Sequence, residues 1–136
     1  MIRKRVPDKF KARSMLQAAE IEIKFIKTLK PSQESAATIV RSVYEVFRML
    51  GNALLLMRGK EATGIDHHTE MIKELFTLKA DTARPIQILL NLKSLRNRIN
   101  YQGYIPAGEE AEDALAIVES CFDPILDEIK KELNRI

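Results

Sequence analysis

Arg96, Asn97, Arg98, Asn100 and Tyr101 crowd the last turns of one stretch, Arg84 to Pro106. Read as a helix, that stretch puts Arg96 and Asn100 four residues apart on one face, with Gly103 a turn later. Leu89 and Leu92 precede Arg96 along the same line. Arg96 therefore sits at the margin of an apolar face. A guanidinium there needs a carboxylate, a carbonyl or an anionic ligand, because burying it unpaired is costly. Its planar fork matches the oxygens of a phosphate. The competing reading is an ion pair with Glu45 or another carboxylate. Gly103 stops the helix and Pro106 follows it.

Other reactive side chains give less. His67 and His68 are adjacent, so on a helix they point about 100° apart and cannot chelate together as an i, i+4 pair would. His68 falls in line with Met71, Ile72, Leu75 and Phe76 and reads as a core histidine, whereas His67 reads as exposed. Cys121 lies by an apolar stripe and reads as a small buried residue. No metal site, cofactor motif or serine–histidine–acid pattern is readable. Arg41, Glu45, Arg48 and Asn52 share one narrow seam of a helix. They read either as a solvated stripe with internal ion pairs or as a cleft wall facing Arg96.

These residues need a scaffold, and the periodicity supplies helices throughout. The first runs from about Pro7 to Leu29, on Ala12, Met15, Leu16, Ala19, Ile23 and Ile26. Ser32 reads as the N-cap of a second, which ends near Gly59 and is apolar almost all round, hence central. Asp66 caps a third, reaching about Leu78. The fourth begins near Pro85. The fifth starts at Glu109 with acidic residues that suit the positive end of the helix dipole. Pro124 should kink or divide it. There is no alternating strand pattern, glycine-rich phosphate loop or repeat. Short linkers favour antiparallel neighbours, so the expectation is a single all-α domain over 1–136, an up-and-down bundle of about five helices.

Composition agrees. Of 136 residues, 46% are hydrophobic and 30% charged, which is globular rather than disordered. Lys+Arg 22 against Asp+Glu 19 leaves a net charge of +3, which permits an anionic partner without demanding one. The basic residues are uneven: Arg3, Lys4 and Arg5 open the chain, and Lys93, Arg96 and Arg98 crowd the fourth helix. One cysteine excludes an internal disulfide and points to a reducing compartment. No apolar run is long enough to span a bilayer, and the first residues lack the apolar core of a signal peptide. The expected location is cytoplasmic, away from membranes.

The run Leu95-Arg96-Asn97-Arg98-Ile99-Asn100-Tyr101, late in the fourth helix of a chain this size, resembles the HEPN superfamily. The family consists of helical bundles, often dimeric, whose signature is an Arg, usually a polar neighbour, then a His a few positions on. In active members the Arg and His of two subunits cleave RNA without a metal. Others bind nucleotides or partner minimal nucleotidyltransferases in toxin–antitoxin pairs. By this match Arg96 is the motif arginine, Asn97 its polar neighbour, and Tyr101 stands where the His is expected. Asn100-Tyr101 is similar to the ending of branches that carry tyrosine there. A tyrosine with a pKa near 10 is a poor general base, but it can stack on a base or hydrogen-bond a phosphate.

The resemblance thus implies a homodimer that binds RNA or a nucleotide phosphate, with metal-independent endoribonuclease activity as its enzymatic version. Arg96 and Tyr101 would be the catalytic pair. Asn97, Arg98 and Asn100 would bind ligand, and Glu45 and Arg48 would complete the cleft. The alternative is a non-enzymatic interaction module, such as the partner of a nucleotidyltransferase, in which Arg96 merely ties helices together.

Overall fold

A computed structural model describes residues 1–135. The chain is an up-and-down bundle of five helices: α1 (Lys9–Ile26), α2 (Ala36–Met57), α3 (His67–Leu75), α4 (Ile88–Gln102) and α5 (Gly108–Arg135). Two short strands, β1 (Ile2–Lys4) and β2 (Lys60–Ala62), pair antiparallel at one end.

The helix α2 is the axis. Fourteen of its 22 residues are buried, and it accordingly packs against all four other helices. Ile39, Val43, Val46, Phe47, Leu50 and Leu54 are fully enclosed. Each such side chain contributes roughly 1.5–3 kcal/mol by leaving water. Phe47 meets Phe122 of α5 edge-on, with ring centroids 6.2 Å apart. On α1 the buried set is Ala12, Leu16, Ala19, Ile23 and Ile26, spaced four and three apart as a helix face requires. The Asp8 carboxylate caps α1 by accepting from the Lys11 backbone N–H at 2.9 Å.

Several details differ from the sequence expectation: α1 ends at Ile26 and not Leu29, and α4 begins at Ile88, three residues after Pro85. The N-cap of α2 is Ser35, not Ser32, because the two serines bond one another and form a turn first. The helix α3 ends at Leu75, three residues short of Leu78. The helix α5 runs unbroken through Pro124. Proline has no N–H to give the carbonyl four residues earlier, that of Ser120. The Ala83 N–H of the α3–α4 linker takes that place at 3.2 Å. The proline thus exposes an acceptor that anchors the approach to α4.

The strands are a feature the sequence did not announce. Three residues are too short to show alternation, and the partner lies 58 positions away, as the Arg3–Glu61 pair illustrates. Arg3 and Arg5 both reach Glu61, and Arg5 also approaches Asp8. Much of the charge in the basic N-terminal run is therefore neutralised within the fold. A partly buried network joins the C-terminal ends of α2, α3 and α5: Arg58 donates to both oxygens of Glu132, at 2.6 and 2.7 Å, and to Glu74 at 3.0 Å. Among the described residues no helix is long and apolar enough to cross a membrane.

Candidate functional site

Three elements converge where the α4 cluster lies: the middle of α2, the start of α3 and the second half of α4. Gly51 makes the convergence possible. A Cβ there would collide with the Met71 carbonyl, so only glycine lets the α3 backbone lie against α2. That contact brings His67 and His68 toward Tyr44, whose ring centroid is 6.4 Å from that of His68. Gly103, in the left-handed region at φ 66°, ends α4, and the Arg98 carbonyl accepts the Tyr104 N–H at 3.1 Å.

Arg96 is half-buried and has no carboxylate partner among the described residues. Its guanidinium lies 4.7 Å from the centre of the Tyr44 ring and 5.9 Å from that of Tyr101. It donates to the Asn97 side-chain oxygen at 2.7 Å. The expected rival, Glu45, is taken by Arg48 in an ion pair within α2. Arg96 is held by an aromatic face and an amide and forms no ion pair among the described residues.

Two hollows flank it. One, of about 360 Å³, has Asp66, His67, His68, Lys93, Arg96, Asn97 and Tyr101 among its lining residues. The other, of about 310 Å³, is bounded by α1, α2 and α4 and includes Glu22, Arg41, Tyr44, Glu45, Arg96 and Asn100. Arg96 belongs to both. A larger hollow of about 430 Å³ between α4 and α5 includes Glu109, Glu110 and Asp113, and those carboxylates suit it poorly to an anion.

Each residue singled out in the sequence has a place here. Asn97 orients Arg96. The Asn100 side-chain oxygen accepts from Arg41 Nε at 2.7 Å, which joins α2 to α4. Glu45 lines the second hollow, and Arg48 stands behind it, donating also to the Met71 sulfur at 3.4 Å. Tyr101 is 75% exposed, so its ring is open to a stacking partner. Arg48, which lines neither hollow, and Arg98 are the exceptions. Two positions beyond Arg96, Arg98 points about 200° around the helix. It stacks on Tyr104 at 4.0 Å and lines neither hollow. The α2 seam divides: Arg41 and Glu45 face the site, while Asn52 turns to the Met15 sulfur of α1 at 3.6 Å.

Both histidines depart from the sequence reading. His68 is half-exposed on the hollow, not enclosed in the core, and His67 is half-buried and bonded to the Gly64 backbone. The cause is the close α2–α3 approach, which turns the first turn of α3 toward α4. Burial, then the neighbouring His67, Arg48 and Arg96, push the His68 imidazole down to about 4, so it is neutral at physiological pH. Burial raises the Tyr44 phenol above its ordinary range, outweighing the opposing pull of Arg96. Its hydroxyl is buried without a hydrogen-bond partner among the described residues. Tyr44 and Lys93 are site residues the motif did not contain. Tyr44 is four positions beyond Val40 and one turn before Phe47, so its place on the inner face was available from spacing.

Among the described residues no group of three or more His, Cys, Asp or Glu side chains converges to hold a metal ion. The arrangement can bind an anion through Arg96 and Lys93 and present an aromatic ring beside it. No protein-family model, curated protein or solved structure matches the chain.

Proposed function

We propose that the protein is HEPN-like and binds RNA or a nucleotide phosphate at Arg96, as a homodimer in the cytoplasm. The observation that carries the reading is the half-buried Arg96, stacked on Tyr44, oriented by Asn97 and ion-paired with no carboxylate among the described residues. Several of its donors remain for phosphate oxygens, in the bidentate geometry a guanidinium favours. Lys93 adds charge. The amide nitrogens of Asn97 and Asn100 are free to donate, since their oxygens are engaged. Tyr101 offers a face to a base, worth roughly 1–3 kcal/mol per stacked base. Arg98 contributes only at the periphery. In its enzymatic version the protein is a metal-independent endoribonuclease.

The test is binding and cleavage of single-stranded RNA by purified protein in EDTA, wild type beside Arg96→Ala. Binding lost in the variant, with the helical circular dichroism signal retained, supports the reading. Equal binding in both rejects it.

One observation favours a second reading, an interaction module that holds a protein partner such as a nucleotidyltransferase. Phe10, Ile21 and Phe25 are 82%, 63% and 59% exposed on α1. Apolar side chains of that size on one helix suit a protein contact. Phe25→Glu would then abolish partner or dimer binding and leave RNA binding unchanged.

A further inference from the structure

The helix α1 buries one face and leaves the opposite one exposed. On that outer face stand Phe10, Ser14, Gln17, Ala18, Ile21 and Phe25, with Phe10, Ile21 and Phe25 at 82%, 63% and 59% exposure. Large apolar side chains gathered on one helix face mark a contact surface. Counted from the point between Gln17 and Ala18, the stripe reads alike in both directions: Phe10 mirrors Phe25, and Ser14 mirrors Ile21. A second α1 laid antiparallel about that point sets Phe10 against Phe25 of the partner subunit and Ile21 against Ser14 of the partner subunit. The small Ser14 and Ala18 let the two helices approach. A two-fold contact needs a patch complementary to itself, and this stripe meets that need.

The charges agree. About a two-fold axis, each flank of an antiparallel helix meets the same flank of its partner. Lys11 and Glu22 share one flank, about 20° apart around the helix. In the mirrored register Lys11 and the partner subunit's Glu22 lie about 3 Å apart along the axis, so two such ion pairs close the seam. Neither side chain is engaged in an ion pair among the described residues. On the other flank Arg13 falls between Glu20 and Lys24 of the partner subunit, which offset one another. Four phenylalanines and two isoleucines leave water in the seam. The area is on the order of 1,000 Å², the lower end for a specific contact and suited to reversible association.

Glu22 also lines the hollow that holds Arg41 and Arg96. A carboxylate there opposes a phosphate on Arg96, and a lysine from a second copy would neutralise it.

We infer that the outer face of α1 is the contact with a second copy of this chain, in the antiparallel register centred between Gln17 and Ala18, and that Lys11 of the partner subunit completes the rim of the Arg96 hollow by pairing with Glu22. The rim role rests on the reading that Arg96 holds a phosphate; the seam does not.

The experiment measures mass in solution by sedimentation over a range of concentrations. Wild type should reach twice the chain mass of 15.5 kDa. The double variant Phe10→Gln/Phe25→Gln should stay at the chain mass with its helical circular dichroism signal intact. Lys11→Glu and Glu22→Lys should each weaken association by roughly tenfold, since each turns two attractive pairs repulsive, and the two exchanges combined should restore most of it. Binding of a labelled single-stranded RNA is recorded alongside. The phenylalanine variant should bind it roughly two- to fivefold more weakly than wild type. Adding Glu22→Gln should remove that difference, which a mere loss of avidity would not allow. A monomeric wild type at every concentration overturns the inference and gives the face to a different protein. A dimer that survives the phenylalanine substitutions, or single charge reversals with no recovery on combination, overturns it by placing the contact elsewhere. Dissociation with unchanged RNA affinity overturns the rim role. An intact wild-type dimer that binds no RNA overturns the phosphate reading and the rim role together, while the seam stands.

Discussion

The guanidinium of Arg96 stacks 4.7 Å from the centre of the Tyr44 ring, and Tyr44 is 1% exposed. A buried ring on α2 thus carries a cation on α4 with no carboxylate between them. An arginine locked in a buried ion pair would cost about 3–5 kcal/mol to remove. One held by a ring face costs about 1 kcal/mol. Arg96→Ala should therefore lower the unfolding free energy in urea by about 1 kcal/mol, with the slope of the transition unchanged. A loss of several kcal/mol would identify Arg96 as structural.

Tyr44 contributes its ring, and its hydroxyl is an uncompensated expense. Tyr44→Phe deletes a buried donor that has no partner and keeps the stacking face. The substitution should be neutral or stabilising by up to about 1 kcal/mol in thermal or urea unfolding. A clear destabilisation would mean that the hydroxyl is bonded in solution.

His68 makes stability depend on pH in a defined window. Its ordinary value of 6.5 falls to about 4 in the folded protein, through burial first and then His67, Arg48 and Arg96, against a weaker opposing effect of Glu45. Between those values the unfolded chain holds the extra proton. Unfolding free energy therefore falls as pH drops from 6.5 to about 4, and the contribution is complete above 6.5. His68→Gln should flatten that part of the profile, measured by urea titrations across the range. An equally steep profile in the variant would show that other groups cause it.

Gly51 sets the distance between α2 and α3. Gly51→Ala places a methyl group against the Met71 backbone, which can yield only by moving α3. Overpacking of this kind costs about 1–3 kcal/mol. The same shift should lower the protection of α3 amides in hydrogen exchange while those of α1 stay protected. Uniform protection in both helices would show that α3 does not depend on this contact.

The parts of the molecule legible in its sequence are those whose partners are local or periodic. The α2 core stripe, the Gly103 stop and the margin position of Arg96 all follow from spacing along one helix. What could not be read depends on approach between helices. Nothing in the sequence near His67 announces that Gly51 admits α3, so the histidines read as one core and one surface residue. The Glu45–Arg48 pair was foreseen as one of two fates for the seam, and it is what frees Arg96 from a carboxylate. Arg98 looked like part of the cluster because it is close in sequence, yet helix geometry sends it to Tyr104. The β1–β2 pairing joins segments separated by the whole of α1 and α2, which no local pattern encodes.

The most direct measurement is the salt dependence of RNA affinity, by fluorescence anisotropy of a labelled single strand, for wild type and Arg96→Ala. Each phosphate neutralised contributes about 0.7 to the slope of log affinity against log salt for a single strand. Phosphate binding at Arg96 predicts a steep wild-type slope that becomes shallower by about that amount in the variant, with weaker binding at every salt concentration. Equal affinity and equal slope in the two proteins would contradict it.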